Sequence, residues 1–188
     1  LQRQSTEDSL TAVANHEQFL DYLEREWRRA RRDAMPLAIV LVDLDNFRAY
    51  NRQFGRKAGD DCLRQVGRVL ASTVGRAGDL VARYHRDEFA IALASTDSLG
   101  ASNIAERARA AVEALQVPAS SDAPSAVVTA SVSVAAAVPT RDSAWEELDL
   151  IKAARFALRE ARAAGGNRVL RGSLGQASRP EVLGQAGG

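Results

Sequence analysis

The sequence predicts an α/β (α+β) fold with a central mixed, mainly antiparallel sheet of about five strands, flanked by helices. Short apolar runs rich in β-branched residues, typical of strands, alternate with longer segments whose apolar residues recur every three or four positions, typical of amphipathic helices. Two of the predicted strands are separated by only a few residues. They are therefore expected to form a hairpin, which makes part of the sheet antiparallel.

The first two elements have the clearest patterns. A helix is predicted over residues 15–33, because the apolar residues between Phe19 and Trp27 recur at spacings of three and four. Pro36 ends this helix and opens the run 37–45, which is apolar until it closes with two aspartates. An apolar run of this length is typical of a strand buried on both faces, so we expect it at the centre of the sheet.

The remaining elements follow the same two patterns, after a short polar helical turn that comes directly behind the central strand. Further helices are predicted over residues 57–74, 99–115 and 145–163, and further strands over residues 80–83, 88–93, 127–138 and 167–170. We therefore divide the chain into a lead-in (1–14), one domain (15–171) and a tail or linker (172–188). The tail is expected to be disordered, since its Gly, Ser, Gln and Ala residues show no apolar period.

The composition excludes several classes of protein. The 188 residues suffice for one domain with a full core. A net charge of +1, from 25 basic and 24 acidic residues, argues against a nucleic-acid polymer as partner. The single cysteine excludes a disulfide framework and fits a reducing, cytoplasmic compartment. The longest apolar run, 36–42, is too short to span a membrane, and from the start at Leu1 we expect a piece of a longer protein with other domains.

Almost all of the positive charge comes from arginine, because Lys57 and Lys152 are the only lysines among the 25 basic residues. Codon usage in a GC-rich genome explains such an excess. Alternatively, guanidinium groups are selected because they recognise planar acceptors such as phosphate and guanine. The composition leaves both explanations open.

Two pairs of carboxylates stand where predicted strands end or begin. Asp43 and Asp45 close the central strand, and Asp87 and Glu88 follow the hairpin turn. If the hairpin lies beside the central strand, Asp43 and Asp87 converge on one cation, an arrangement that phosphoryl and nucleotidyl transfer use. The alternative is an acidic hairpin exposed to solvent, and spacing alone does not decide between the two.

A longer set of motifs, in a fixed order along the chain, resembles one known family. The motifs are Asp43-Leu-Asp-Asn-Phe-Arg48, Asn51, Phe54-Gly55, Gly59-Asp60, Arg83-Tyr-His-Arg-Asp-Glu-Phe89 and Asn167-Arg168. Together they resemble a GGDEF domain that runs from about Asp8 to Val169, and the resemblance implies that family's nucleotidyl-cyclase-like fold. Members of the family are diguanylate cyclases, which condense two GTP into cyclic di-GMP, or degenerate relatives that have lost this activity.

The resemblance implies a role for each acidic residue that matches the family pattern. Asp43 and Asp87, with the backbone carbonyl of Leu44, are implied to hold Mg²⁺ together with bound GTP. Glu88 lies at the position of the family's proposed helper in deprotonating the ribose 3′-hydroxyl.

The resemblance also implies how GTP is held. Asn51 and Asp60 are implied to read guanine, since a carboxylate accepts from N1–H and N2–H₂ while an amide reaches the opposite edge. Arg48 and Arg162 stand where the family usually has lysines that contact the triphosphate. A guanidinium keeps the charge of a lysine there but not its compact shape.

Several departures from the family pattern indicate lost activity. His85 and Arg86 replace the two signature glycines. Glycine is expected there because a two-residue hairpin turn needs positive φ and because phosphate must approach bare backbone. We expect both side chains to fill the space of the substrate phosphates. Gly166 also replaces a phosphate-binding arginine, so the sequence predicts a cyclase fold with little or no cyclase activity.

Arg76 and Asp79 match a further family motif, the RxxD site, in type and in position before the hairpin turn. The resemblance implies that cyclic di-GMP binds there, away from catalysis. Arginine can donate to guanine or phosphate, and aspartate can accept from the Watson–Crick edge of guanine. The alternative is a local ion pair in a turn, which contributes little on a surface. Either Arg107 or Arg109 could add a contact, and the sequence does not choose between them.

Three functions follow from these motifs. The first is a regulatory or receptor module that binds cyclic di-GMP at Arg76 and Asp79. The second is a weakly active diguanylate cyclase, and the third is a GTP-binding domain that controls a neighbouring domain. Active cyclases bring two GTP-loaded domains together, so a homodimer stays open, whereas a receptor does not require one.

Overall fold

One five-stranded sheet organises the part of the chain that the computed structural model describes, residues 5–175. Its strands are β1 (Leu37–Leu44), β2 (Asp79–Arg83), β3 (Glu88–Ala94), β4 (Ala130–Ala137) and β5 (Val169–Arg171). The helices are α1 (His16–Asp33), α2 (Phe47–Phe54), α3 (Arg56–Thr73), α4 (Ser98–Ala114) and α5 (Glu147–Ala163). No helix within this range is long and apolar enough to cross a membrane.

The strand order is β2-β3-β1-β4-β5, with β1 in the centre. β1 pairs antiparallel with β3 and β4, β2 pairs antiparallel with β3, and β5 runs parallel to β4. The parallel pair is the one whose connection contains a helix, α5, as parallel strands require. The prediction of a mixed, mainly antiparallel sheet of about five strands is confirmed, and β1 is buried over its whole length.

The sheet separates two apolar cores. Because successive side chains of a strand point to opposite faces, Leu37, Ile39 and Leu41 of β1 pack in the core with α1 and α5. Val40 and Val42 pack in the other core, with α3 and α4. The odd-numbered side chains of β1 therefore face α5, which decides the direction in which Asp43 points.

Small residues allow α5 to lie close to this sheet. The helix turns a face of buried alanines toward the sheet, and the strand opposite it carries small buried residues as well. The residues concerned are Ala153, Ala154, Ala157 and Ala161 of α5 and Ser131, Ser133 and Ala135 of β4. With little side-chain bulk between them, the backbones can approach closely, and long side chains at the edge of this helix face reach the end of β1.

Two predicted boundaries differ from the structure by more than two residues. The strand expected over 127–138 begins only at Ala130, because Val128 turns away and donates its amide to the carbonyl of Val117. At the other end, residues 172–175 still contact the domain: the Gly172 amide donates to the Val134 carbonyl and Leu174 packs against the α1 side. The rest of the predicted tail and the first four residues lie outside the described range.

The lead-in is attached to the sheet through Asp8. Its Oδ1 accepts hydrogen bonds from the amide (2.9 Å) and the hydroxyl (2.7 Å) of Thr11, and lies 3.3 Å from Nη1 of Arg83. Arg83 also donates from Nη2 to the backbone carbonyl of Arg86 at 2.8 Å. Burial by itself would raise the pKa of Asp8, but the Thr11 hydrogen bonds and the charge of Arg83 outweigh it and lower the pKa. One carboxylate thus connects the lead-in to the turn between β2 and β3.

Replacing Asp8 with alanine should lower the free energy of unfolding at neutral pH by about 1–2 kcal/mol, since a half-buried charged acceptor is lost. The folded pKa of Asp8 lies below its usual 3.8. Its stabilisation is therefore present above that value and lost as pH falls through the lower folded pKa. Denaturant titrations of wild type and variant at neutral and acidic pH measure this, with the exposed Asp122→Ala as control. An equal destabilisation at both pH values would contradict the charged role of Asp8.

Candidate functional site

A cleft of about 980 Å³ opens where β1 ends and β3 begins. It gathers all but one of the residues implied to handle GTP and its cation: Asp43, Arg48, Asn51, Asp60, Asp87, Glu88 and Arg162. The exception is Leu44, which is buried and donates its amide to the backbone carbonyl of Asp87 at 3.1 Å. The hairpin does lie beside the central strand, as the sequence argument required.

Asp43 and Glu88 form a directly opposed cross-strand pair, and both are buried. Burial raises the pKa of Asp43 to about 7; Arg162 opposes this rise, and the charges of Asp87 and Glu88 add to it. Burial likewise raises the pKa of Glu88, against the opposing charge of Arg155. Two carboxylates held this close with little water destabilise one another's charged form, and each needs a positive partner.

Each carboxylate receives an arginine from α5. Nη1 of Arg162 donates to Oδ2 of Asp43 at 2.8 Å. Nη2 of Arg155 lies 3.4 Å from Oε1 of Glu88, and its guanidinium lies 5.1 Å from the centre of the Tyr84 ring. Sequence reasoning missed Arg155. The signal was its spacing of seven residues from Arg162, which places both on one face of a helix.

The Mg²⁺ site that the family implies includes Asp43, whose carboxylate already has a partner in this structure. Nη1 of Arg162 donates to one of its two oxygens, Oδ2. The arrangement is a pair of buried carboxylates neutralised by guanidinium groups, whereas a magnesium site needs carboxylate oxygens free to coordinate.

The opposite wall of the cleft, from α2 and α3, carries Asn51 and Asp60. Oδ1 of Asn51 is buried and receives no hydrogen bond from the described residues. It lies against Gly59 so closely that a Cβ on this glycine would come within 1.9 Å of it. The amide nitrogen is therefore the end of the Asn51 side chain that can face the cleft, and a nitrogen donates to an acceptor such as guanine O6.

The connection between β2 and β3 differs from the expected hairpin turn. The amides of Tyr84 and His85 both donate to the carbonyl of Glu88, at 2.8 and 3.0 Å, so three residues rather than two form the turn. Neither His85 nor Arg86 has a positive φ. The expectation that these positions need a left-handed backbone was wrong, because the longer turn reverses the chain without it.

The side chains of His85 and Arg86, which stand in place of the two signature glycines, point in different directions. Arg86 borders the cleft. His85 does not line it. Its ring lies 4.7 Å from the Tyr84 ring and 5.5 Å from the His16 ring, centre to centre. The expectation for His85 was therefore wrong, and of the two residues only Arg86 lies at the cleft.

Asp45, next to the cleft, has a structural role that the sequence did not reveal. Its Oδ2 accepts from the Thr129 hydroxyl and from the Asn167 amide, both at 2.8 Å, and its Oδ1 accepts from the Ser131 hydroxyl at 2.6 Å. A Cβ on Gly166, where φ is +73°, would lie 2.8 Å from this carboxylate. The glycine that replaces the family's arginine is thus required by the position of Asp45.

Arg76 and Asp79 lie at the other end of β2 from the cleft. The Asp79 amide donates to the Arg76 carbonyl at 3.1 Å, which closes a tight turn. Oδ1 of Asp79 is buried and, within the described range, receives no hydrogen bond. Burial raises the pKa of Asp79 although the charge of Arg76 opposes this. The exposed arginine and the unpartnered carboxylate oxygen leave hydrogen-bonding capacity at this turn unused.

Arg107 and Arg109, the two candidates for a further contact with a ligand at Arg76 and Asp79, differ in the bonds that they already make. Arg109 donates to Glu106, to Glu113 and, at 2.6 Å, to Oδ1 of Asn167, so it fastens α4 to the segment before β5. Arg107 is exposed. Arg109 would have to give up three partners to reach a ligand, whereas Arg107 would not have to break these bonds.

Fold and site together define a class of protein. An open sheet whose central strand ends in buried carboxylates, beside an arginine-lined cleft with amide and carboxylate groups on its far wall, is suited to a nucleotide. The family model "Diguanylate cyclase, GGDEF domain" matches residues 5–168. The chain therefore belongs to the GGDEF family.

Individual proteins of similar sequence or structure support the same family. The chain is 33% identical over 162 residues to the diguanylate cyclase DosC of Escherichia coli (strain K12). The aligned region covers 86% of this chain but only 34% of DosC. The GGDEF domain of DgcB from Caulobacter crescentus, solved with c-di-GMP, has a TM-score of 0.80 at 25% identity, covering 91% of this chain and 98% of that one. Diguanylate cyclase SiaD of Pseudomonas aeruginosa, solved with its activator SiaC, has a TM-score of 0.78 at 26% identity, covering 89% and 62%. The chain thus spans about a third of DosC.

Replacing Gly59 with alanine should weaken the binding of GTP without weakening the fold. Alanine favours a helix interior by about 1 kcal/mol over glycine, so the thermal midpoint should stay or rise. The new Cβ displaces the Asn51 side chain, which moves the amide nitrogen out of the cleft. Calorimetry with GTP and thermal unfolding test both effects. Gly75→Ala, where a Cβ meets nothing within 4 Å, is the matched control.

Proposed function

We propose that this domain is a degenerate GGDEF module that makes little or no cyclic di-GMP and acts as a receptor for it at Arg76 and Asp79. The observation that carries the proposal is the unpartnered, buried Oδ1 of Asp79 beside an exposed arginine. A buried carboxylate oxygen without a donor is costly to a fold. A ligand that supplies N–H groups removes this cost once the Asp79 carboxylate turns toward it.

Cyclic di-GMP has the groups that this turn needs. The N1–H and N2–H₂ groups of guanine can donate to Asp79, while the guanidinium of Arg76 can donate to guanine O6 and N7 or to a phosphate. Arg107, which is exposed on α4, is the more available candidate for a further contact than Arg109. The bound c-di-GMP of the structurally similar DgcB domain supports this choice of ligand.

The charges around the catalytic positions support the proposed loss of cyclase activity. A carboxylate that assists deprotonation must reach the hydroxyl whose proton it takes. Glu88 borders the cleft, but its carboxylate is mostly buried and lies beside Arg155, and Asp43 is paired with Arg162. Arg86 adds a side chain where substrate phosphate would approach bare backbone.

The surroundings of the domain follow from its ligand. GTP and cyclic di-GMP are cytoplasmic nucleotides, so we place the domain in the cytoplasm, where the buried thiol of Cys62 also stays reduced. Other domains of a longer protein are the expected recipients of the signal. A homodimer is not required, because the proposed receptor residues Arg76, Asp79 and Arg107 all belong to a single copy.

Calorimetric titration with cyclic di-GMP should show saturable binding that Arg76→Ala weakens at least tenfold, or about 1.4 kcal/mol. Asp79→Asn should weaken binding similarly. A carboxylate offers two charged oxygens to the two N–H groups of guanine, whereas an amide offers a single uncharged oxygen. Arg107→Ala should also weaken binding. Arg52→Ala, an exposed arginine on α2, is the matched control and should bind as wild type does. Absence of binding, or equal binding in Arg76→Ala, would refute the receptor role.

Incubation with GTP and either Mg²⁺ or Mn²⁺, followed by chromatography, should yield no cyclic di-GMP. The double variant His85→Gly, Arg86→Gly should stay inactive, since Arg162 still pairs with Asp43 and the backbone at both positions already has negative φ. An active family member run in parallel is the positive control. Product that appears with wild type and disappears in Glu88→Ala would show a weakly active cyclase instead.

A further inference from the structure

The charges of the cleft are unusual for a site that binds a metal–nucleotide complex. Five arginines line it, against four carboxylates. The arginines are Arg48, Arg56, Arg83, Arg86 and Arg162. The lining therefore has an excess of one positive charge before any ligand or cation enters, and Arg155 adds another directly behind Glu88.

Three of these arginines already have fixed partners. Arg83 bonds Asp8 and the Arg86 carbonyl, so it serves the fold. Arg162 and Arg155 neutralise Asp43 and Glu88. A divalent cation at Asp43 would have to displace the guanidinium of Arg162 and then remain close to it, at the cost of like-charge repulsion.

The other three arginines are open to a ligand. Arg48, Arg56 and Arg86 are exposed at the cleft, and none forms an ion pair within 4.0 Å in the part of the chain that the structure describes. Each guanidinium presents N–H groups in a planar fork that matches two phosphate oxygens. They come from α2, α3 and the β2–β3 turn, so they reach the cleft from different sides.

We propose that this cleft binds the phosphates of a guanine nucleotide without a divalent cation, with guanidinium groups in the place of Mg²⁺. Arg162 and Arg155 compensate the negative charges of the two buried carboxylates. Arg48, Arg56 and Arg86 contact the phosphate oxygens. The inference rests on the proposed loss of catalysis, because a site without the metal has nothing to activate the attacking hydroxyl.

Mg²⁺ should not raise the affinity of such a site for GTP, whereas it raises the affinity of a metal-dependent site. Complexation by Mg²⁺ cancels part of the negative charge on the triphosphate and occupies oxygens that arginines would contact. Free GTP should therefore bind at least as tightly as its magnesium complex. Affinity should also rise from GMP to GTP, and should fall with added salt because exposed charges are screened.

Calorimetry with GTP in excess EDTA, and again in excess Mg²⁺, tests the proposal. We expect binding in EDTA with an affinity equal to or higher than that in Mg²⁺. Binding that requires Mg²⁺ would overturn the proposal, and so would the absence of GTP binding in both conditions. Titrations in an Arg76→Ala background exclude any contribution from the cyclic di-GMP site.

Arg162→Ala should change the metal dependence of binding as well as its strength. Without this arginine, Asp43 is uncompensated and repels phosphate, so affinity in EDTA should fall at least tenfold. Added Mg²⁺ should then recover part of the loss, because the carboxylate is free to bind it. Arg159→Ala, one turn earlier on α5 and outside the cleft lining, should behave as wild type. An Arg162→Ala protein whose affinity is unchanged in EDTA would overturn the proposal.

Asp43→Asn gives a second test that does not leave a charge uncompensated. It removes a negative charge from the cleft and frees Arg162, so binding of GTP in EDTA should become tighter. A metal-dependent site would instead lose binding. The outcomes also separate the two proposals: GTP binding that needs Mg²⁺ but yields no product refutes this inference alone, whereas formation of cyclic di-GMP refutes the proposed function as well.

Discussion

Two carboxylates buried side by side at the end of the central strand are the constraint around which this domain is built. Asp43 and Glu88 are opposed across β1 and β3, on the face of the sheet that α5 covers. Buried charges without partners are strongly unfavourable. The structure meets this demand with Arg162 and Arg155, each placed against one carboxylate. Removing one member of such a pair costs more than the pair contributes, because the remaining charge stays buried.

The packing of α5 makes these two contacts possible. Its buried alanines lie against small residues of β4, and a larger residue at any of them would push the helix outward. Gly166 is a further position where a small residue allows close packing. Its missing side chain leaves room for Asp45, which fastens the end of α5 to β4. The departures from the family pattern are therefore connected. Restoring a single family residue, such as an arginine at position 166, would create a clash before it restored a phosphate contact.

The fold could be predicted because its signals are local. The apolar run 37–45 alone indicated a buried central strand with carboxylates at its end. The site was predictable only where family motifs cover it. Arg155 matches no motif, and Asp8 lies 75 residues from the Arg83 side chain it holds, a distance over which a single sequence has no pairing signal. The prediction of a two-residue turn at His85 was wrong for a different reason. The ends of strands can be predicted only to within one or two residues, and one residue decides whether a turn needs positive φ.

The excess of arginine over lysine can now be judged at individual positions. Arg83 bonds the carboxylate of Asp8 with one nitrogen and the Arg86 carbonyl with two others. A lysine has its three N–H donors on one nitrogen, whereas the guanidinium of Arg83 spreads its donors over three nitrogens in a plane and so meets the two acceptors from different directions. Codon usage is sufficient for arginines on exposed helix faces, where either cation is solvated. It is not sufficient at Arg83, nor at Arg155, whose guanidinium contacts a buried carboxylate while it lies over the Tyr84 ring. At these positions the planar, permanently charged group is what the surrounding structure requires, so part of the excess has a structural cause.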